Sequence, residues 1–238
     1  MTTTAVALIN PNTSQATTEM MATIARRTLR PDDGYEVLGL TAAEGPAMLV
    51  DEDALRAAEP QVVRAAQRAL AGPDGPRIGA FVVSAFGDPG VEELRSRTSR
   101  TSRTSRTSRT SLPVVGIAEA AMAEAASAGR RFGIATTTPG LTAAIAARVA
   151  HLGWSGQYSG IRLTAGDPHQ LSASPEELTE RLAEAVEACR AQDGAEAVII
   201  GGGPLGEAAE ALRDRFPIPV IGPIPAACRA VRGVVEGD

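Results

Sequence analysis

Short apolar runs alternate along the chain with longer stretches in which apolar residues recur every three or four positions. The run Ala5 to Ile9 ends in Asn10-Pro-Asn-Thr13, a turn-forming cluster that can cap a helix beginning near Ser14. Helical spacing holds from Asp51 to Leu70, breaks at Gly72-Pro-Asp-Gly-Pro76, and gives way to a buried strand over Ile78 to Val83. A helix starts near Gly90 and a strand runs through Val114 to Ile117. A helix over Ala118 to Ala128 stops at Gly129, and the strand Arg131 to Ala135 follows. Helices are predicted at about 140–151 and 175–191, the second opened by Ser174-Pro175-Glu-Glu, an N-cap with proline at the first helical position. Val198 to Ile200 and Val220 to Ile221 complete the strands. Strands with no polar face, separated by amphipathic helices, predict an α/β fold of mostly parallel sheets covered on both faces.

The pattern occurs twice. Val6-Ala-Leu-Ile-Asn-Pro-Asn-Thr13 returns as Phe132-Gly-Ile-Ala-Thr-Thr-Thr-Pro139. Phe81-Val-Val-Ser-Ala-Phe-Gly-Asp-Pro-Gly90 returns as Val198-Ile-Ile-Gly-Gly-Gly-Pro-Leu-Gly206, and Leu112-Pro-Val-Val-Gly-Ile-Ala-Glu-Ala-Ala121 as Ile218-Pro-Val-Ile-Gly-Pro-Ile-Pro-Ala-Ala227. A period this long excludes a solenoid and predicts two pseudo-symmetric lobes facing each other across a cleft. The first lobe is expected over residues 1–112 and the remainder, including the second lobe, over 113–238, with chain segments crossing between them. In parallel sheets ligands bind beyond the carboxyl ends of the strands, which is where the repeated loops lie.

Arg97-Thr-Ser to Arg109-Thr-Ser111 repeats one tripeptide five times, with no apolar residue to bury. Residues 96–111 are therefore expected to form a disordered insertion, a passive expansion that loop-closure entropy tolerates.

Composition narrows the chemistry. All 23 basic residues are arginine, so a lysine Schiff base and a Walker-type phosphate loop are excluded. No cofactor is expected. Cys189 and Cys228 are too few for a disulfide framework and do not stand in metal-ligand spacing with His151 or His169, so no metal is expected either. The net charge of −5 includes the six arginines at positions 95, 97, 100, 103, 106 and 109; without them it is −11, which argues against nucleic acid as a partner. No apolar run is long enough for a membrane span and no signal peptide is evident, so the expected setting is cytoplasmic. Pairing into a homo-oligomer is compatible with such lobes.

Leu8-Ile-Asn-Pro-Asn-Thr-Ser14, Phe86-Gly-Asp-Pro-Gly90, Val114-Val-Gly-Ile-Ala-Glu119 and Gly133-Ile-Ala-Thr-Thr137 together resemble the aspartate/glutamate/hydantoin racemase superfamily, closest to its hydantoin and allantoin racemase branch. The resemblance covers nearly the whole chain apart from the arginine-rich insertion. It implies a cofactor-free site between the lobes, where two cysteines, one from each, act as acid and base on opposite faces of a carbon next to a carbonyl. By the resemblance those cysteines fall at Ala85 and, in the glycine-rich turn, at Gly202. Gly201 and Gly203 flank the latter, so no register restores a thiol. Cys189 and Cys228 are expected to be small buried hydrophobes, Cys228 at the position that repeats Met122.

Around these positions Asn10, Asn12, Thr13, Thr136 and Thr137 offer amide and hydroxyl groups, and Gly201, Gly202 and Gly203 allow close approach of backbone N–H groups to a carboxylate or carbonyl oxygen. The same polar groups are able to cap helices. Ser84 borders Ala85 but no histidine is placed to activate it. Asp88 and Glu119 are the best remaining proton carriers, although Asp88 also suits a helix cap and Glu119 a partner for a backbone amide. His169 lies in a polar loop within reach of the cleft, and His151 is expected to pack. Three functions follow. The first is a diverged enzyme that acts on a small carboxylate, ureide or cyclic amide through an enolate-like intermediate, as isomerase, decarboxylase or lyase. The second is a non-catalytic ligand-binding or regulatory homologue, and the third a hydantoin-type racemase with other proton donors.

Overall fold

The computed structural model describes residues 3–101 and 111–237. Two four-stranded parallel sheets carry the same strand order. In the first, β1 (Thr4–Asn10) and β3 (Ile78–Val83) are central, flanked by β2 (Tyr35–Thr41) and β4 (Val114–Gly116). In the second, β5 (Phe132–Thr136) and β7 (Ala197–Ile200) are central, flanked by β6 (Tyr158–Leu163) and β8 (Val220–Ile221). The three sequence repeats thus fall on β1 and β5, β3 and β7, and β4 and β8. The register Ile9 with Val83 in one sheet answers Ala135 with Ile200 in the other. Each central strand is buried along nearly all its length, as a sheet covered on both faces requires.

The helices are α1 (Gln15–Thr28), α2 (Glu52–Ala71), α3 (Val91–Thr101), α4 (Ile117–Ala125), α5 (Thr142–His151), α6 (Pro168–Ser172), α7 (Pro175–Ala191), α8 (Gly206–Leu212) and α9 (Pro223–Glu236). Two of them cross over. Helix α4 leaves the first sheet to pack against β7 and β8, and α9 leaves the second sheet to pack against β3, α1 and α4. One apolar cluster therefore runs through both lobes, from Val6 and Leu8 through Met122 and Cys228 to Phe132 and Ile134. Cys228 and Met122 occupy matching positions in this shared core.

Several elements differ from expectation. Strands β2 and β6 and helices α6 and α8 escaped the sequence pattern; β6 is only half buried, being an edge strand, so its apolar signal is weak. The first sheet ends at Gly116, beyond the boundary placed at residue 112. Helix α3 continues through Thr101 into the tripeptide repeat that was expected to be disordered. Thr98 is the reason: it is buried, and its Oγ1 donates to Arg95 O at 3.1 Å and to Leu112 O at 3.3 Å. The rest of that expectation falls on residues 102–110, outside the described residues. His151 is exposed at the end of α5 rather than packed.

Candidate functional site

The turns after the central strands meet where the two sheets point their carboxyl ends at each other, and between them lies a cavity of about 1080 Å³. Ser84, Ala85 and Phe86 after β3 and Gly201, Gly202 and Gly203 after β7 line it, one turn from each lobe. Asn12 from the first lobe and Thr137 from the second complete the polar part. Met20, Leu55, Leu141 and the segment Pro46–Val50 make the rest largely apolar.

Hydrogen bonds fix both turns. The Ser84 hydroxyl donates to Ile9 O at 2.7 Å, and the Thr136 hydroxyl donates to Gly201 O at 2.7 Å, so each lobe has one hydroxyl joining its two central strands. Asn10 Nδ2 donates to Asn12 Oδ1 (2.8 Å), Ser14 O (3.1 Å) and Thr18 Oγ1 (3.0 Å), while Asn12 Oδ1 also accepts Ser14 N–H at 2.9 Å. This knits the Asn-Pro-Asn-Thr turn, and Ser14 Oγ caps α1 by accepting Thr17 N–H. Thr13 ties the turn to the apolar segment through Pro46 O and Gly45 O. Of the polar residues expected at the site, Asn12, Ser84 and Thr137 line the cavity; Asn10, Thr13 and Thr136 stand behind it as supports.

The three consecutive glycines are not equivalent. A Cβ at Gly203 would sit 2.7 Å from Ser84 O, across the lobe interface, and one at Gly201 would sit 2.8 Å from Ile134 Cγ2. At Gly202 a Cβ meets only the Leu205 side chain, at 3.0 Å, and the extended backbone there is open to any residue. Gly202 is therefore the position of the three best suited to carry a side chain, and it lines the cavity with Ala85.

Neither thiol is near. Cys189 and Cys228 are fully buried in the apolar clusters, and burial pushes both thiols up to about 12. They are packing residues.

Asp88 and Glu119 are not among the residues that line the cavity, which corrects the expectation of two carboxylates at the site. Asp88, with φ of +53°, turns its wholly buried side chain to the start of α4. There it accepts the N–H groups of Ala118 at 2.8 Å and Glu119 at 2.9 Å, and Arg148 Nε of α5 at 3.2 Å. Gly116 has no side chain because Asp88 occupies the space: a Cβ would lie 2.2 Å from Asp88 Cγ. Glu119 accepts Gly116 N–H at 3.0 Å and binds Arg148 Nη2 at 2.9 Å and Arg95. Burial pushes the Asp88 carboxyl up to about 6, against the opposing pull of Arg148; Glu119 adds to the rise and the two N–H donors counter it. Asp88 caps α4 rather than α3, a role that sequence spacing could not assign because the two segments are joined only by the fold. Arg148 is the residue that sequence reasoning missed, and nothing in its local pattern marks it.

His169 does line the cavity, on its exposed rim with Glu176 and Glu207. Among the described residues the lining contains no arginine, and no group of histidine, cysteine, aspartate or glutamate is placed to hold a metal ion.

Known proteins share this fold. The hydantoin racemase of Paenarthrobacter aurescens is 27% identical over 232 residues, which cover 97% of this chain and 90% of that protein. The allantoin racemase from Klebsiella pneumoniae superposes with a TM-score of 0.82 at 26% identity, covering 98% of this chain and 88% of its own. Arylmalonate decarboxylase shares the fold, with a TM-score of 0.64 at 17% identity over 98% of this chain and 93% of its own. The model of a family described as Asp/Glu/Hydantoin racemase matches residues 6–231, and the chain belongs to that family.

Proposed function

We propose that the protein is a cofactor-independent enzyme that acts on a small cyclic ureide or amide through an enolate-like intermediate, without two-cysteine racemisation. One observation carries this: Ala85 and Gly202, where relatives are inferred to hold their two thiols, both line one cavity, while both cysteines of the chain are locked in the core.

Racemisation needs a proton carrier on each face of the reacting carbon. A methyl group and a hydrogen atom supply none, and Asp88 and Glu119 are held elsewhere. An enolate left by departure of carbon dioxide from a carboxyl group that the substrate ring carries needs no base from the walls, because the electrons of the broken C–C bond stay on the ring carbon, which then takes its proton from water. It needs its oxyanion stabilised. The peptide N–H groups of Ala85, Phe86 and Gly203 are suited to this, whereas those of Ser84, Gly201 and Gly202 are engaged by Ile9 O, Ala135 O and Ile200 O. Asn12 and Thr137 add side-chain donors. A lining without a cation among the described residues gives the substrate carboxylate no ion partner, which favours its loss as carbon dioxide, and the likeness to hydantoin and allantoin racemases supports a cyclic ureide as the ring that carries it.

The test is incubation of the protein with hydantoins, allantoin, cyclic imides and their carboxylated derivatives in D2O, following deuterium uptake, optical rotation and release of carbon dioxide. Bond cleavage without inversion is expected. Inversion with deuterium uptake would overturn the proposal in favour of racemisation. Thermal stabilisation by a ring ligand with no turnover would replace it with a binding protein.

A further inference from the structure

The two sheets share a strand order, yet their outer edges are built differently. Strand β6 is blunted: its register with β5 shifts between Phe132 and Gly133, Gly160 has φ of +128°, and Arg162 is clamped to Asp193 at 2.6 and 2.7 Å. Strands β4 and β8 offer edges of only three and two residues. Strand β2 has none of these protections. It pairs with β1 in unbroken register from Tyr35 to Thr41, without proline, bulge or arginine. Thr4 N–H donates to Gly34 O at 2.9 Å and Ala42 N–H to Asn10 O at 3.0 Å, so the even-numbered residues of β2 bond β1. The N–H and C=O groups of Val37, Gly39 and Thr41 therefore point outward, where no strand lies among the described residues. Gly39, in the middle of this edge, is exposed.

We propose that this edge is the interface with a second copy of the chain, in which two β2 strands pair antiparallel about Gly39 and join the two first-lobe sheets into one continuous sheet. The edge is complementary to itself. With Gly39 opposite its own counterpart, Val37 of one copy meets Thr41 of the other, so the outward groups of all three residues find partners. Leu38 and Leu40, half-buried beside the α2 cluster, then meet their counterparts across the interface on one face of the sheet. Charge matches on the other face. There α1 runs against β2, with Thr18 bonded to Thr41 at 2.7 Å, so Glu19 lies at the Thr41 end of the groove beside the strand and Arg26 at the Tyr35 end. Antiparallel pairing brings Arg26 of each copy to Glu19 of the other. Their contact within one chain is exposed, contributes little and is readily exchanged.

Sedimentation velocity on the full chain across a range of concentrations tests this, and a dimer is expected. Leu38→Lys sets beside the facing strand the charge that natural sheet edges use against pairing, and should raise the dimer dissociation constant at least about tenfold. Because Cys189 and Cys228 are buried, Gly39→Cys adds the one accessible thiol of the chain; it should close a disulfide across the axis under mild oxidation, whereas Leu163→Cys on the β6 edge should not. Hydrogen exchange of the unaltered chain is a reading free of any variant: the amides of Val37, Gly39 and Thr41 should be protected in concentrated solution and lose that protection on dilution. A monomer at every concentration overturns the proposal, including one whose β2 amides are protected by a different molecule. A dimer indifferent to Leu38→Lys, or one whose β2 amides exchange freely at high concentration, has its interface elsewhere and overturns it too.

Discussion

Ala85 and Asp88 belong to one turn after β3, yet they serve opposite environments. Ala85 faces a cavity whose polar walls are backbone, amides and hydroxyls, with ionisable groups only at the rim. Asp88 faces inward to a charge cluster, where it and Glu119 meet Arg148 and two α4 N–H groups. The cavity is large and open to a ligand; the cluster is filled, and each of its oxygen atoms has a partner in the protein. The difference shows how to sort acidic residues in a cleft protein. A carboxylate that is already neutralised by an arginine from the other lobe and by a helix start holds the lobes together, and it is not available to substrate. The cluster joins the β3 turn, whose first residues line the cavity, to α4 and α5 without itself lining the cavity.

The comparison breaks most sharply if thiols are returned to the cavity. Ala85→Cys combined with Gly202→Cys is expected to raise hydantoin racemisation by about 10²- to 10⁴-fold, the usual scale of positioned acid and base groups, as measured by polarimetry. No rise in a folded double variant would mean that the two positions do not face the same carbon.

On the cluster side, Arg148→Ala leaves Asp88 as a buried charge without its cation, at a cost of about 3–5 kcal/mol in urea denaturation at pH 8. The loss should shrink at pH 5, where Asp88 takes up a proton. An equal loss at both values would show that the arginine acts through Glu119 or through packing and not through the Asp88 charge.

Adjacent glycines divide the two regions at finer scale. Gly203→Ala forces a methyl group against Ser84 O across the lobe interface and should cost about 1–3 kcal/mol. Gly202→Ala meets only a movable leucine and should cost less than about 1 kcal/mol. Reversal of that order would remove Gly202 as the position open to a side chain.

The last expected effect is in the pH dependence. Because the native pKa of Asp88 is raised from 3.8 to about 6, the folded protein binds this proton more tightly than the unfolded chain. Its own contribution to stability therefore falls as pH rises from about 4 to about 6 and stays low above that. Asp193, Glu180 and Glu187, lowered by arginine partners, act in the opposite direction. The measurable quantity is the difference in urea midpoint between wild type and Asp88→Asn across that range. A difference that does not change with pH would show Asp88 to be ionised throughout.

What the sequence determined by itself was everything that depends on local pattern or on recurrence. Apolar runs without a polar face gave away six of the eight strands, and the threefold recurrence fixed which strands correspond, because both halves bury the same positions against helices. The glycine turn and the Asn-Pro-Asn-Thr turn were legible since their residue types serve backbone geometry. The edge strand Tyr158–Leu163 was not, because a half-buried strand has no uniform apolar face. Only the tertiary structure decided which polar groups reach the cavity. Thr136 and Thr137 are neighbours of the same type, yet one joins two strands and the other lines the site. The fate of Asp88 hung on Arg148, sixty residues away in the other lobe, and on the start of α4, thirty residues away. Such roles follow from distances between segments that no local spacing encodes, and a buried carboxylate takes its function from whatever charge the fold brings beside it.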